Sequence, residues 1–227
     1  MFDHVTTETK KMADNYYLVG LQHILLFERA WNLMGYENFM NALITDRIFI
    51  EELLDRITDY NIELAKHFVS LGVDAIRTGY DYGGQLNLQM SPTLWRQLFK
   101  PRLHKIWSVY RNAKVTVIHH SCGNIEEIIP DMIDIGLEML HPVQPNARSL
   151  EHIANQFGHE IAFHGGIDTQ KVLPFGTPKE VKHAVKECVK ILGKNRQYVI
   201  APSQEIMNDV PTANIVALLD GIQEYRY

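Results

Sequence analysis

A histidine and a cysteine stand two residues apart where the clearest predicted strand, residues 114–120, ends. These are His120 and Cys122, separated by Ser121 and followed by a glycine. At this spacing both side chains point to the same side of an extended chain. A histidine nitrogen and a cysteine thiolate are both common zinc ligands, and bound zinc keeps a thiolate deprotonated at neutral pH. The pair therefore indicates a metal site, which needs one or two further ligands from elsewhere in the chain.

A structural role is the alternative for this pair, with a buried cysteine beside a histidine that is hydrogen-bonded at the strand end. The neighbouring His119 is expected to point to the opposite face and to pack there. The other cysteine, Cys188, lies in a predicted helix and is expected in the core. Two cysteines make no disulfide framework, so a reduced, cytoplasmic protein is the simplest expectation.

Three further polar residues stand near the ends of predicted strands. Asp81 follows the strand at 75–80 and precedes two glycines after one intervening residue. It is interpreted as a ligand, a substrate anchor or an acid/base residue, with a turn aspartate that caps backbone amides as the alternative. Gln144 is placed to hydrogen-bond a substrate, and His164 either lines the site or packs. We predict Asp81, Gln144 and His164 as the catalytic or substrate-binding residues.

Short apolar runs alternate with amphipathic stretches along the chain. Six runs are predicted as strands, at residues 16–21, 75–80, 114–120, 139–144, 161–168 and 197–202. Helices are predicted at 49–71, from 91, at 125–135, at 149–157, at 177–192 and from 211. The clearest start is Thr177-Pro178-Lys179-Glu180, which has the spacing of a capping box. Because each strand is followed by a helical region, the order predicts parallel βα units.

The pattern predicts the α/β class, with two candidate architectures. Strands that are apolar throughout fit a sheet that is covered on both faces. In a closed (β/α) barrel the polar groups after the strands converge on one mouth, whereas a doubly wound sheet binds its ligand in one crevice. No GxGxxG motif follows the first strand, so nothing favours dinucleotide binding.

The composition fits a globular protein of one domain. The chain has 227 residues and a net charge of -5, and its basic residues are spread out, which argues against nucleic acid as a partner. No apolar stretch approaches 18 residues, so no membrane span is expected. The N-terminus lacks the basic start and apolar run of a secretory signal.

Several motifs resemble those of the uroporphyrinogen decarboxylase (URO-D) superfamily. The turn HSCGN that begins at His120 resembles the HxCG zinc-binding turn of its cobalamin-dependent methyltransferase branch. Further matches occur in the same order as in the family, with GVDAI at 72–76, DYGG at 81–84, SPTLWRQLFKP at 91–101, HPVQP at 141–145, FHGGIDTQKVLPFGTP at 163–178 and APSQEIMNDVPTANIVAL at 201–218. Together these matches are far more specific than any one of them.

The resemblance implies a (β/α)8 TIM barrel with its site at the C-terminal mouth. The family pattern starts upstream of this chain, so residues 1–227 are expected to form a single URO-D-like domain that lacks the N-terminal segment. The expected fold is an incomplete barrel of six βα units. An open sheet edge invites association, so we expect a homo-oligomer or a complementing chain.

The resemblance also implies an activity. The implied enzyme is a zinc-dependent methyltransferase, which moves a methyl group between a corrinoid and a thiol or related acceptor. The implied cofactors are zinc and a corrinoid, the latter carried by a corrinoid-binding protein, and the substrate is a small molecule. The alternatives are uroporphyrinogen III decarboxylation, which needs no metal, and a truncated, catalytically inactive family member.

The third metal ligand is the point where this chain departs from the zinc branch. That branch carries a cysteine in a segment resembling APGC, where this chain has Ala201-Pro202-Ser203-Gln204. Glutamine is a poor zinc ligand. We therefore predict His120, Cys122 and Glu205 as the metal ligands, with Asp81 as another candidate for the third position.

Overall fold

The computed structural model describes residues 7, 9, 11–79 and 81–226. Parts of the N-terminal segment assessed for a signal, and Tyr80 at the end of a predicted strand, lie outside the described residues. The chain divides into two compact units. The first comprises Met1–Tyr82, Leu88–Ser121 and Ile125–Glu138, and the second comprises Gly83–Asn87, Cys122–Asn124 and Met139–Tyr227. The single-domain organisation expected from the sequence stays a prediction.

The first unit contains three parallel strands that follow one another in chain order. They are β1 (Val19–Gln22), β2 (Ala75–Gly79) and β3 (Thr116–His120). The helices are α1 (Phe27–Met34), α2 (Tyr36–Thr45) and α3 (Arg47–Ser70) after β1, α4 (Pro92–Leu98) and α5 (Lys100–Asn112) after β2, and α6 (Ile129–Asp134) after β3. A 3-10 turn, Glu126–Ile128, leads into α6.

The long helix α3 shows how local chemistry sets these bounds. The side chain of Asp46 accepts a hydrogen bond from the backbone N–H of Phe49, which caps the N-terminus. The helix ends at Ser70, and Gly72 follows with a φ of 74°. Glycine adopts that left-handed conformation without steric cost. The helix predicted at 49–71 is therefore confirmed, with a start two residues earlier.

The second unit has the same organisation. Its parallel strands, again in chain order, are β4 (Met139–Val143), β5 (Ala162–Ile167) and β6 (Tyr198–Pro202). Its helices are α7 (Leu150–Phe157), α8 (Val172–Phe175), α9 (Pro178–Leu192) and α10 (Thr212–Tyr225). The capping box predicted at Thr177 is present, with Glu180 bonded back to the Thr177 N–H. The core includes Ile167 of β5, Val185 of α9 and Leu218 of α10.

All six strand predictions correspond to strands, and the start differs most for the first of them. The run at 16–21 starts as a strand only at Val19, and Tyr16 and Tyr17 are exposed. The bonding of Leu18 explains the later start, since its N–H donates to the Asp74 carboxylate and its carbonyl accepts from the start of β2. Within the described part of the chain, none of the helices is long and apolar enough to cross a membrane.

Asp131 on α6 forms ion pairs with residues of α4 and α5. Asp131 accepts hydrogen bonds from Arg96 and Lys100, both at 2.8 Å, and its side chain is 14% exposed. Burial raises the pKa of the Asp131 carboxyl, but the hydrogen bonds from Lys100 and Arg96 outweigh it and hold the pKa below its ordinary value. The carboxyl of Asp131 therefore has a lower pKa in the folded protein than in the unfolded chain, and its ionised form stabilises the fold at pH values above the unfolded pKa. This stabilisation is lost as the pH falls through the folded pKa.

Asp131→Asn should therefore lower the free energy of unfolding by about 1–2 kcal/mol at pH 7, because it removes charge-assisted hydrogen bonds. The difference from the parent should be smaller at pH 3, which lies below the ordinary carboxyl pKa, so that part of the stabilisation by the ionised carboxylate is lost. Urea unfolding at both pH values measures this. Asp134→Asn is the control, since Asp134 bonds the same Lys100 but is 70% exposed. A loss of stability that is equal at both pH values would contradict the electrostatic origin.

Candidate metal centre

Three potential metal ligands come together after β2 and β3. One ligand atom each from Asp81, His120 and Cys122 lies within 4.8 Å of the other two. Asp81 Oδ1 is 3.3 Å from His120 Nε2, and the His120 side chain is only 10% exposed. Asp81 follows β2, His120 ends β3 and Cys122 lies in the turn just beyond. Of the candidates for the third ligand, the structure thus brings Asp81 to the pair.

The strand register explains why His120, and not His119, faces this group. Gly79 pairs with His120 across β2 and β3, and a Cβ on Gly79 would lie 3.1 Å from the His120 Cβ. His119 points to the other face, where its Nδ1 is 3.0 Å from Thr78 Oγ1 and its ring stacks on Tyr82. Complete burial lowers the pKa of His119 to about 3, so this imidazole is neutral. The packing role predicted for it is confirmed.

Close backbone contacts hold the turn that carries Cys122. Asn124 N–H donates to the Gly84 carbonyl at 2.8 Å. A Cβ on Gly83 would lie 2.6 Å from the Cys122 carbonyl oxygen, and Gly123 has a φ of 75°. Only glycines permit this approach, because any side chain would force the backbones apart. The backbone of the DYGG segment thus fixes the position of the cysteine turn.

Gln144, predicted to bind substrate, contacts the same turn. Its Oε1 accepts a hydrogen bond from Gly123 N–H at 3.0 Å, and the Arg148 guanidinium donates to the Gly123 carbonyl. In this structure Gln144 therefore positions the peptide that follows Cys122. Its role toward a substrate stays a prediction.

The predicted ligand Glu205 and its neighbour Gln204, both after β6, are placed differently in the structure. Gln204 Nε2 donates to Cys122 Sγ at 3.1 Å, so the glutamine contacts the candidate ligand. Glu205 is exposed and is not among the three residues of the group. Its role as a ligand stays a prediction. Cys188 is buried in α9, where burial raises the pKa of its thiol to about 12, which confirms the core position expected for it.

His164 lies on β5 beside a second histidine. Its ring is edge-on to that of His141 on β4, with 4.5 Å between centroids. The nearby Asp168 carboxylate caps the following turn, with Oδ1 accepting from the N–H groups of Gln170 and Lys171. His164 is thus packed against an imidazole, and its catalytic role stays a prediction.

Three residues near His120 were not predicted from the sequence. The His23 ring lies 6.4 Å from that of His120, and Arg77 Nη2 is 3.4 Å from His23 Nε2. Burial lowers the pKa of His23, and the charges of Arg77 and His120 add to this. Glu28, in the first turn of α1, interacts electrostatically with His120. Arg77 lies on β2, and His23 and Glu28 follow β1. Because residues near the ends of the strands build the site of a barrel, these positions are the sequence signal that could have identified them.

The donor set of the three-residue group fits zinc. It offers imidazole nitrogen, thiolate sulfur and carboxylate oxygen, which are the three donor types of protein zinc sites. A sulfur donor disfavours magnesium and calcium, which prefer oxygen alone.

Comparison with known proteins places this arrangement in a family. The family model described as uroporphyrinogen decarboxylase (URO-D) matches residues 26–225, which is most of the chain. The chain belongs to the URO-D family. The match includes β2, β3 and all three residues of the candidate metal group.

Relatives of this URO-D family member include enzymes of two kinds. It is 30% identical over 196 residues to the methylcobamide:CoM methyltransferase MtaA of Methanosarcina barkeri, covering 86% of this chain and 55% of that protein. It is 27% identical over 189 residues to the uroporphyrinogen decarboxylase of Christiangramia forsetii, covering 83% and 50%. The chain thus spans about half the length of these relatives.

A solved structure confirms the fold of this URO-D family member. It superposes on a methyltransferase from Methanosarcina mazei with a TM-score of 0.79 and 26% identity, covering 98% of this chain and 63% of that one. The predicted α/β class, with parallel strands and alternating helices, is therefore confirmed.

Proposed function

We propose that this chain belongs to a zinc-dependent methyltransferase, which moves a methyl group between a corrinoid and a thiol or related acceptor. The observation that carries the proposal is the approach of Asp81, His120 and Cys122 to within 4.8 Å of one another. Relatives named as methylcobamide:CoM methyltransferases add support.

In this proposal Asp81, His120 and Cys122 hold the zinc. Zinc at such a site supplies a positive charge that favours the thiolate form of a substrate thiol at neutral pH. His120 must be neutral and Cys122 ionised to bind it, so metal uptake releases protons. Gln204 acts on the sulfur of Cys122, because its amide donates a hydrogen bond that offsets part of the thiolate charge.

The remaining predicted residues are proposed as the surroundings of the acceptor. Gln144 holds the Cys122 turn, His164 offers an imidazole for substrate binding, and Glu205 is a further metal ligand from the exposed loop after β6. The proposed partners are a corrinoid-binding protein and a small-molecule substrate, together with a second copy or a complementing chain that extends the sheet. We place the protein in the cytoplasm, where Cys122 stays reduced.

Decarboxylation of uroporphyrinogen is the second candidate, favoured by the relative from Christiangramia forsetii. It requires no metal, so the two candidates differ in whether activity survives a chelator. Incubation with uroporphyrinogen III and, separately, with methylcobalamin plus coenzyme M, each with and without chelator, tests both.

The metal site itself is tested by binding. The purified, reduced chain should bind about one zinc, and cobalt(II) in its place should give the absorption band of a metal–thiolate bond. Cys122→Ser should abolish that band, and His120→Ala should lower zinc affinity by at least about tenfold, because each removes one ligand.

Two control variants match these changes. Cys188→Ala removes the other cysteine, which is buried in α9, and His104→Ala removes an exposed histidine of α5. Both should bind zinc like the parent. A parent chain that takes up neither zinc nor cobalt would overturn the proposed metal site.

A further inference from the structure

Two side chains of one turn after β4 hold the backbone that follows Cys122. Gln144 and Arg148 belong to this turn, in which the N–H groups of Ala147 and Arg148 donate to the Gln144 carbonyl. The Gln144 side chain accepts from Gly123 N–H at 3.0 Å, and Arg148 Nη2 donates to the Gly123 carbonyl. All of these residues belong to the second unit. Gly123 is therefore held at both its donor and its acceptor.

The Arg148 contact acts on a peptide group close to the candidate ligand. The Gly123 carbonyl belongs to the peptide that joins Gly123 to Asn124. The N–H of the same peptide donates to the Gly84 carbonyl at 2.8 Å. Arg148 thus binds one end of this peptide group, and Gly84 binds the other. Together they fix its orientation, and with it the direction in which the chain leaves Cys122.

The burial of Arg148 strengthens this contact. The residue is only 6% exposed. A hydrogen bond from a charged donor is stronger than one between neutral groups, and it gains further where little water competes. Removal of a buried donor also leaves its acceptor without that bond, which costs more than the loss of an exposed contact. The position of the Gly123 peptide should therefore depend strongly on this guanidinium.

The turn that carries Arg148 is itself bonded to two other loops of the second unit. Asn146 Nδ2 donates to Asp168 Oδ1 at 2.9 Å, beyond the end of β5. The Asn146 carbonyl accepts from Gln85 Nε2 at 3.0 Å, and Gln85 directly follows the DYGG segment. Arg148 therefore reaches Gly123 from a turn whose own place is held by hydrogen bonds on two sides.

We propose that Arg148 is a positioning residue for Cys122, whose guanidinium holds the Gly123 peptide and so keeps the cysteine sulfur in place for the metal. This inference rests on the metal site proposed above and adds a residue that acts on it through the main chain. Gln204 differs in this respect, because it contacts the sulfur itself. Residues that orient the ligands of a zinc site contribute strongly to its affinity.

Arg148→Met tests the assignment, because it removes every donor of the side chain and keeps much of its length. Zinc affinity, measured by competition with a chromogenic chelator, should fall by about tenfold or more. Arg102→Met is the matched control. Arg102 is 7% exposed and likewise donates to main-chain carbonyls, those of Leu98 on α4 and Glu51 on α3. The control should lose comparable stability, yet it should bind zinc like the parent.

The reactivity of the Cys122 thiol supplies a measurement that needs neither metal nor activity. Cys122 is half-buried and contacts Gln204, whereas Cys188 is buried. With chelator present, Cys122 of Arg148→Met should react with a disulfide reagent about ten times faster than in the parent. The loss of a hydrogen bond from a charged group favours local opening of the turn by about that factor. Arg102→Met should react at the parental rate, and Arg148→Lys, which keeps the charge and a donor, should react at an intermediate rate.

The outcomes separate this inference from the metal site. If Arg148→Met and Arg102→Met change zinc affinity and thiol reactivity equally, the cause is a general loss of stability, and the role of Arg148 is overturned. An Arg148→Met variant that reacts and binds zinc like the parent overturns it as well. If the parent binds no zinc, the metal site fails, and faster reaction of Cys122 in Arg148→Met still supports the role of Arg148 in holding that thiol.

Discussion

Gln204→Cys should raise the affinity of the chain for zinc by about a hundredfold. Gln204 Nε2 lies 3.1 Å from Cys122 Sγ, so a thiol at position 204 starts beside a candidate ligand. Complete zinc sites in small domains bind with about 10–16 kcal/mol, so one of four ligands contributes roughly 3 kcal/mol, which corresponds to about a hundredfold. Replacing an amide with a thiolate also gives zinc the softer donor that it prefers.

Competition with a chelator, in the presence of a reductant, measures this gain. Ile206→Cys is the matched control, because it adds a thiol to the same exposed loop at another position. Equal gains in the two variants would show that any added thiol suffices, and an unchanged affinity in Gln204→Cys would show that the loop does not reach the metal. The first result would show that position 204 has no special place at the metal, and the second would remove the loop after β6 from the site.

Gly123→Ala should destabilise the fold by about 3 kcal/mol or more, since it combines an unfavourable φ with backbone overlap. The added Cβ would lie 2.6 Å from the Gly83 carbonyl carbon and would also overlap the Gly84 carbonyl oxygen. Backbone atoms cannot rotate away as a flexible side chain can. The turn must therefore move, and zinc affinity should fall with it.

Gly72→Ala separates the two causes. Gly72 has nearly the same φ, 74°, but its added Cβ would meet nothing within 4 Å. It should cost only about 1 kcal/mol, which is the conformational part alone. Denaturant unfolding of both variants measures the difference. Equal losses of stability would mean that the contact between the two glycine segments contributes nothing.

The sequence predicted those helices whose starts carry a chemical signal. Side-chain caps begin four helices, at Asp46, Ser91, Ser149 and Thr177. By contrast, α1 and α2 have Leu26 and Gly35 at their N-cap positions and no side-chain cap, and neither helix was predicted. A start without a cap leaves only hydrophobic periodicity, which is weak over eight to ten residues.

The site was predictable where its residues are neighbours in sequence. His120 and Cys122 are two residues apart, and Asp81 was a candidate because it follows a strand. By contrast, His23 is far from His120 in the sequence, and the pairing of β1 with β2 and of β2 with β3 brings their ring centroids to 6.4 Å from each other. The contact of Gln204 with Cys122 depends on the direction of one exposed loop, which local sequence does not specify.

The glycine contact between the DYGG segment and the cysteine turn has a consequence for how this site can change. The position of the turn is set by main-chain atoms, whereas metal preference is set by side chains. Donor residues can therefore be exchanged while the framework that presents them stays in place. Evolution or a protein engineer can retune such a centre from sulfur-rich to oxygen-rich ligation, one position at a time, as long as Gly83 and Gly123 are kept.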